Sequence, residues 1–207
     1  MAFCCRCLVV THIIMQSSDW LHRHLYHIDM PVAYRFNAGA KNHTDYEAYQ
    51  QIMNNNDLLR SLQQVLKLTD AAIVDIFKLA DHPVDQTTVS NLLKNEDETG
   101  LIHCDEKCIT HFLDGLISYR RGKNEKSSHP PKEIPPVLSN NVILKKLRIA
   151  FDLKEDDLLE LMSLADYEVT KNELSATFRK PGHKHYRTCS DDFLMAFLIG
   201  LSFRQWK

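Results

Sequence analysis

The chain has 207 residues, 44% of them hydrophobic and 25% charged, with a formal net charge of -2. That balance excludes a disordered chain, which needs low hydrophobicity and high net charge, and it excludes a surface built throughout for phosphate backbones. Six glycines, seven prolines and no unbroken apolar run long enough to span a bilayer predict a helix-rich fold with no transmembrane helix and no membrane partner.

The first residues, MAFCCRCLVVTHIIMQ, carry a short apolar run broken by His12 and lack a small-x-small cleavage site, so no export signal is expected. Cys4, Cys5 and Cys7 do not have the C-x-x-C spacing of a metal or redox motif. With Cys104, Cys108 and Cys189 they are too sparse for a disulfide framework, which agrees with an expected reducing cytoplasm. Residues 1-52 read as an N-terminal extension, and Met53 stands where translation of the repeated part could begin.

From residue 55 onward the chain repeats itself. Residue i matches residue i+85 without a gap from Asn55/Asn140 to Arg120/Gln205, and 15 of the 66 pairs are identical. The first predicted helix carries Leu58, Leu59, Leu62, Val65 and Leu66 on one face, answered by Ile143, Leu144, Leu147, Ala150 and Phe151. The second carries Ile73, Ile76, Phe77 and Ala80, answered by Leu158, Leu161, Met162 and Ala165. A short third follows Val84/Val169, and a fourth ends in Phe112-Leu113-Asp114-Gly115-Leu116, answered by Phe197-Leu198-Ile199-Gly200-Leu201. A glycine inside a helix costs about 1 kcal/mol relative to alanine, so its recurrence at Gly115 and Gly200 predicts close backbone packing.

The organisation predicted is therefore all-α: an extension over 1-52, a helical repeat over 53-123, a Pro-rich linker over 124-139 and a second repeat over 140-207, packed as a helical bundle about a pseudo-twofold axis. Pro130, Pro131, Pro135 and Pro136 make the linker an extended, semi-rigid connector. A unit of about 70 residues is marginal alone, which favours packing of one copy on the other.

Asn55-Asn56-Asp57-Leu58-Leu59-Arg60, Phe112-Leu113-Asp114-Gly115-Leu116, Asn140-Asn141 with Ile143-Leu144-Lys145-Lys146-Leu147-Arg148, and His183-Lys184-His185-Tyr186 leading to Cys189 together resemble the YehS-like bacterial family, a duplicated domain of unknown function. The resemblance spans residues 53 to about 205. It implies a fold and no activity; Asp114 and Ser190 depart from the Asn and Gly that the resemblance leads one to expect there.

Candidate sites are few. Asn55, Asn56, Asn140 and Asn141 precede or open helices, where they suit capping of free N-H groups or convergence on a ligand across the pseudo-twofold axis. Cys104, Cys108 and His111 have a spacing that could place three metal ligands on one face. The second copy has Cys189, Phe193 and Ala196 there, which reads as core, so no metal is assigned. No cofactor and no catalytic residue is assigned either: glycine-rich phosphate loops are absent, and no motif unites a nucleophile with a base. Residues 70-94 have about the lengths of a helix-turn-helix, but Pro83 falls where the turn wants glycine and the second helix is poor in bases.

The copies differ most between their third and fourth helices. NEDETGLIHC, with Glu96, Asp97 and Glu98, stands opposite KPGHKHYRTC, with Lys180, Lys184 and Arg187. Arg179, His183, His185 and Tyr186 complete a basic patch with aromatic interleaving. The alternatives are a solvated loop or one drawn to its acidic sister, within the chain or in a homodimer. The expectation is a non-enzymatic cytoplasmic binding or adaptor module acting through an unidentified protein partner. Nucleic-acid binding through the 179-187 loop with Lys145, Lys146 and Arg148 is the alternative, and an enzyme of unknown class is third.

Overall fold

The computed structural model describes residues 54-122 and 138-204, all within one unit, Ile52–Lys207. The extension over 1-52, the three amino-terminal cysteines, Met53 and nearly all of the Pro-rich linker lie outside the described residues. Eight helices and no strand occur among the described residues: α1 Asn55–Leu66, α2 Asp70–Leu79, α3 Gln86–Leu92 and α4 Glu106–Arg121 in the first repeat, α5 Asn140–Ala150, α6 Glu155–Leu164, α7 Lys171–Thr177 and α8 Asp191–Arg204 in the second.

Local chemistry sets the helix ends. Asn54 caps α1 in a reciprocal box with Asp57, Thr69 caps α2, Asp85 caps α3, Asp105 caps α4, and Thr170 with Glu173 boxes α7. Chain reversals after the first and second helices of each repeat use a left-handed residue: Lys67 and Asp152 at φ 51° and 52°, Asp81 and Asp166 at φ 55° and 53°. Aspartate tolerates this region better than most residues, which is a physical reason for the Asp81/Asp166 identity.

Packing follows the repeat. α4 lies on α2 and α8 on α6, and the copies exchange the same contact, α4 of the first against α5 of the second and α8 of the second against α1 of the first. This reciprocity is the pseudo-twofold arrangement, and it merges both apolar faces into a single core containing Leu59, Leu62, Phe77, Phe112, Leu144, Leu147, Leu161 and Phe197, each fully buried. Gly115 and Gly200 are points of close backbone approach: a Cβ would fall 2.0 Å from the Ile76 carbonyl oxygen in one case and 2.0 Å from the Leu161 carbonyl oxygen in the other. α8 is buried on nearly every side, including Phe193, Phe197, Ile199 and Ser202. α4 instead leaves Asp114, Tyr119 and Arg120 exposed.

Polar contacts finish the seam between copies. Lys146 pairs with Asp114, Arg121 reaches the Ile149 carbonyl at 3.1 Å and Asp152 at 3.2 Å, and the Arg120 guanidinium lies 4.7 Å over the Phe151 ring. At the sister contact the counterparts of Lys146 and Asp114 are Ser61 and Ile199, both buried.

Candidate functional site

The asparagine pairs take a role that neither sequence reading anticipated. Asn54, not Asn55 or Asn56, is the cap of α1, and the cap position of α5 is Ser139, whose side chain makes no capping bond. Asn56 and Asn141 stand one residue into their helices and are buried. The Asn56 amide donates to the Leu92 and Ile102 carbonyls at 2.8 Å each, and its oxygen accepts from the Cys104 N-H at 2.9 Å. Asn141 repeats this through the Thr177 carbonyl at 2.7 Å, the Arg187 carbonyl at 2.9 Å and the Cys189 N-H at 3.0 Å. Asn55 donates to the Cys104 carbonyl and Asn140 to Asp191, at 3.1 and 2.5 Å. Each pair therefore clamps both ends of the loop between the third and fourth helices to the start of the first, and the four amides are spent within their own repeats.

The clamp gives the basic loop a fixed base. Tyr186 donates its hydroxyl to Asn141 Oδ1 at 3.0 Å, and the Arg187 guanidinium meets Glu173 at 2.5 Å. Glu173 is held down to about 2 by the Thr170 N-H first, then by Arg187 and the Thr170 hydroxyl. Between the Thr177 and Arg187 carbonyls that Asn141 holds, the chain turns at Gly182, φ 85°, and His183 Nδ1 accepts from the His185 N-H at 3.1 Å. Lys180, His183, Lys184 and His185 are exposed. Among the described residues none of the four forms an ion pair.

The other candidate bases divide. Lys146 is taken by Asp114. Arg148 donates to the Leu153 carbonyl at 3.1 Å and stacks 4.7 Å over Phe178. Lys145 is exposed, and Arg179 is half-buried. In the acidic sister loop, Glu98 accepts from the N-H and side chain of Asn95, and Glu96 from Asn54. Among the described residues no ion pair joins the two loops.

The remaining polar features make no reaction centre. A groove along α6 and its following turn is lined by Ser163, Asp166, Tyr167, Glu168, Thr170 and Glu173, and Glu173 is already committed. Cys104 is buried and Cys108 and His111 are half-buried, and among the described residues no group of three His, Cys, Asp or Glu side chains is placed to hold a metal ion. His111 stacks in parallel on His82 with ring centroids 4.5 Å apart; the second repeat has Ala196 and Tyr167 there. Sequence reasoning did not single out His82, and only the absence of its imidazole from the second copy pointed to it.

The helix-turn-helix lengths are present as α2 and α3, and again as α6 and α7. The exposed face of α3 offers Gln86, Thr87 and Ser90 and no base. No described helix is long and apolar enough to cross a membrane.

The model of a family described as "Protein of unknown function (DUF1456)" matches residues 55–122 and 140–205. The chain is 40% identical over 153 residues to the uncharacterized protein YehS of Escherichia coli (strain K12), a stretch covering 74% of this chain and 97% of that one. No solved structure matches the chain.

Proposed function

Because the chain belongs to this duplicated family of unknown function, we propose a role read from the loop itself: a non-enzymatic cytoplasmic binding module that takes an acidic segment of a protein partner on its 179-187 loop. The observation that carries the reading is the contrast within the loop. Tyr186 is bonded to Asn141 and Arg187, though exposed, is paired with Glu173, while Lys180, His183, Lys184 and His185 are exposed and form no ion pair among the described residues. A pre-anchored cationic loop loses less conformational entropy on binding than a free one, and opposite charge speeds encounter. The commitment of Lys146 and Arg148 to internal contacts shrinks the basic surface that a nucleic-acid backbone would need, and so favours the protein partner.

Fluorescence anisotropy of the full chain with a labelled oligoglutamate peptide, at low and raised salt, tests this. Lys180→Ala/Lys184→Ala should weaken binding about tenfold, the scale of a lost pair of charge contacts. Equal binding by the double variant would sink the proposal. Tighter capture of single-stranded DNA than of the peptide, with a steep salt dependence, would transfer the loop to nucleic acid.

A further inference from the structure

The two loops that differ most in charge stand at one end of the molecule. Asn55 and Asn56, in the first turn of α1, bond the Cys104 carbonyl and N-H just before α4. Glu106, in the first turn of α4, accepts from the Leu138 N-H two residues before α5, and Asn140 and Asn141, opening α5, bond Asp191 and the Cys189 N-H at the start of α8. The amino-terminal ends of α1, α4, α5 and α8 are therefore neighbours. α4 and α5 run in the same direction, because Asp114 meets Lys146 and, further along both, Arg121 meets the Ile149 carbonyl. The pseudo-twofold exchanges these four ends among themselves, so it carries the 95-104 loop onto the 180-189 loop at that same end.

We propose that this end is a dimer interface, on which the 95-104 loop of each copy meets the 180-189 loop of the other; this rests on the basic loop being a site for an acidic protein segment, and the segment is Glu96-Asp97-Glu98 of a second copy. Glu96, Asp97, Lys180 and Lys184 are exposed, and among the described residues none of them forms an ion pair. Glu98 holds the Asn95 N-H, and Glu96 accepts only from the neutral Asn54 amide, so these charges are not neutralised where they stand. Ile102, one of three large hydrophobic side chains exposed among the described residues, lies in the same acidic loop and adds an apolar contact to the charged ones.

Symmetry says how the copies meet. Two copies can face each other end to end about a twofold axis perpendicular to the pseudo-twofold, and one such placement sets acidic loop on acidic loop and basic on basic. The other crosses them, and each copy then presents both an acidic and a basic loop to its opposite. Like charges across an interface are strongly unfavourable, whereas unlike charges steer encounter and fix register, so the divergence of the two repeats selects the crossed placement. That contact is isologous and closes at two copies. Both loops have ten residues and the same asparagine clamp at the base, so each meets a partner loop that is already ordered. Together they bring 20 residues from each copy, the lower end of the roughly 20–30 that a standard interface takes from each side.

Sedimentation velocity of the full chain measures the interface. At low salt a species of twice the chain mass is expected, and it should dissociate as salt rises because the facing charges are screened. Lys180→Glu/Lys184→Glu makes both loops net acidic, and Glu96→Lys/Asp97→Lys makes both net basic. Each variant alone should dimerise at least about a hundredfold more weakly than the parent. Mixed one to one they should recover the dimer, since each then faces only the opposite charge, and recovery also shows that both are folded. Excess oligoglutamate should part the parent dimer by occupying its basic loops. A chain that stays monomeric at low salt and the highest attainable concentration, variants that dimerise like the parent, a mixture that fails to recover, a dimer indifferent to oligoglutamate, or a mass that climbs past two copies would each overturn the proposal. A monomer that binds oligoglutamate through Lys180 and Lys184 would remove the second copy and leave the basic loop as an acidic-segment site, whereas oligoglutamate binding unchanged in Lys180→Ala/Lys184→Ala would remove that site itself.

Discussion

Replacing Asn141 with alanine strands four polar groups at once: the Thr177 and Arg187 carbonyls, the Cys189 N-H and the Tyr186 hydroxyl. The Arg187 carbonyl and Tyr186 hydroxyl lie where water can reach them, but the bonds to the Thr177 carbonyl and Cys189 N-H are buried. Two buried groups left unsatisfied at about 1–3 kcal/mol each give a loss centred near 4 kcal/mol. Alanine's better helix propensity returns about 0.5 kcal/mol, leaving about 3.5 kcal/mol, a large share of the ~5–15 kcal/mol that holds a domain folded. Urea unfolding followed by circular dichroism measures the loss, and hydrogen exchange at the Cys189 amide reports whether the loop base has opened. A loss below about 1 kcal/mol together with unchanged protection at Cys189 would refute the clamp, because the stranded groups would then cost less than any buried amide should. Asn56→Ala should behave alike, since its three bonds repeat those of Asn141.

Gly115→Ala and Gly200→Ala should each destabilise by about 2 kcal/mol or more by overpacking, because the new methyl meets a backbone oxygen that cannot swing aside; thermal unfolding that showed the roughly 1 kcal/mol gain expected of propensity alone would contradict the packing. Burial first, then the charges of His82 and Lys107, lower His111 from 6.5, against the opposing influence of Asp114 and the Ala80 carbonyl. The unfolded chain then binds this proton more readily, so stability should fall as pH drops through 6.5. His111→Ala, which copies the second repeat, should flatten that part of the stability-pH curve, and an unchanged slope would count against the stacked pair as its source. Glu173, held at about 2 against an ordinary 4.5, contributes stability above 4.5 that should fade as pH falls toward 2. Glu173→Gln should remove this acid-limb dependence in a pH-dependent urea titration, and an identical acid limb would count against the Thr170 and Arg187 contacts.

Much of the fold was legible because its signals are local. The spacing of Leu58, Leu59 and Leu62 names a buried face without knowledge of what covers it, and the glycine shared at 115 and 200 marks a close approach because nothing else fits. Helix starts were less legible: Asn54 and Ser139 differ between the copies, so an alignment of shared residues drew attention to the Asn pairs beside them. The candidate loop was visible from its charge alone, but its composition could not separate working from anchoring residues. Arg187 and Lys184 look equivalent in the sequence, and only the position of Glu173 distinguishes them.

The sequence by itself determined that this protein is a helical unit used twice, because a fixed offset of matched residues records duplication whatever the chain folds into. Tertiary structure decided which polar groups are spent. Asn56 and Asn141 find partners 36 to 48 residues away, Lys146 finds Asp114 32 residues back, and Lys180 and Lys184 form no ion pair among the described residues. Hydrogen-bond and charge partners depend on distance and direction in space, which side-chain periodicity does not encode, and the candidate functions of this protein rest on those pairings.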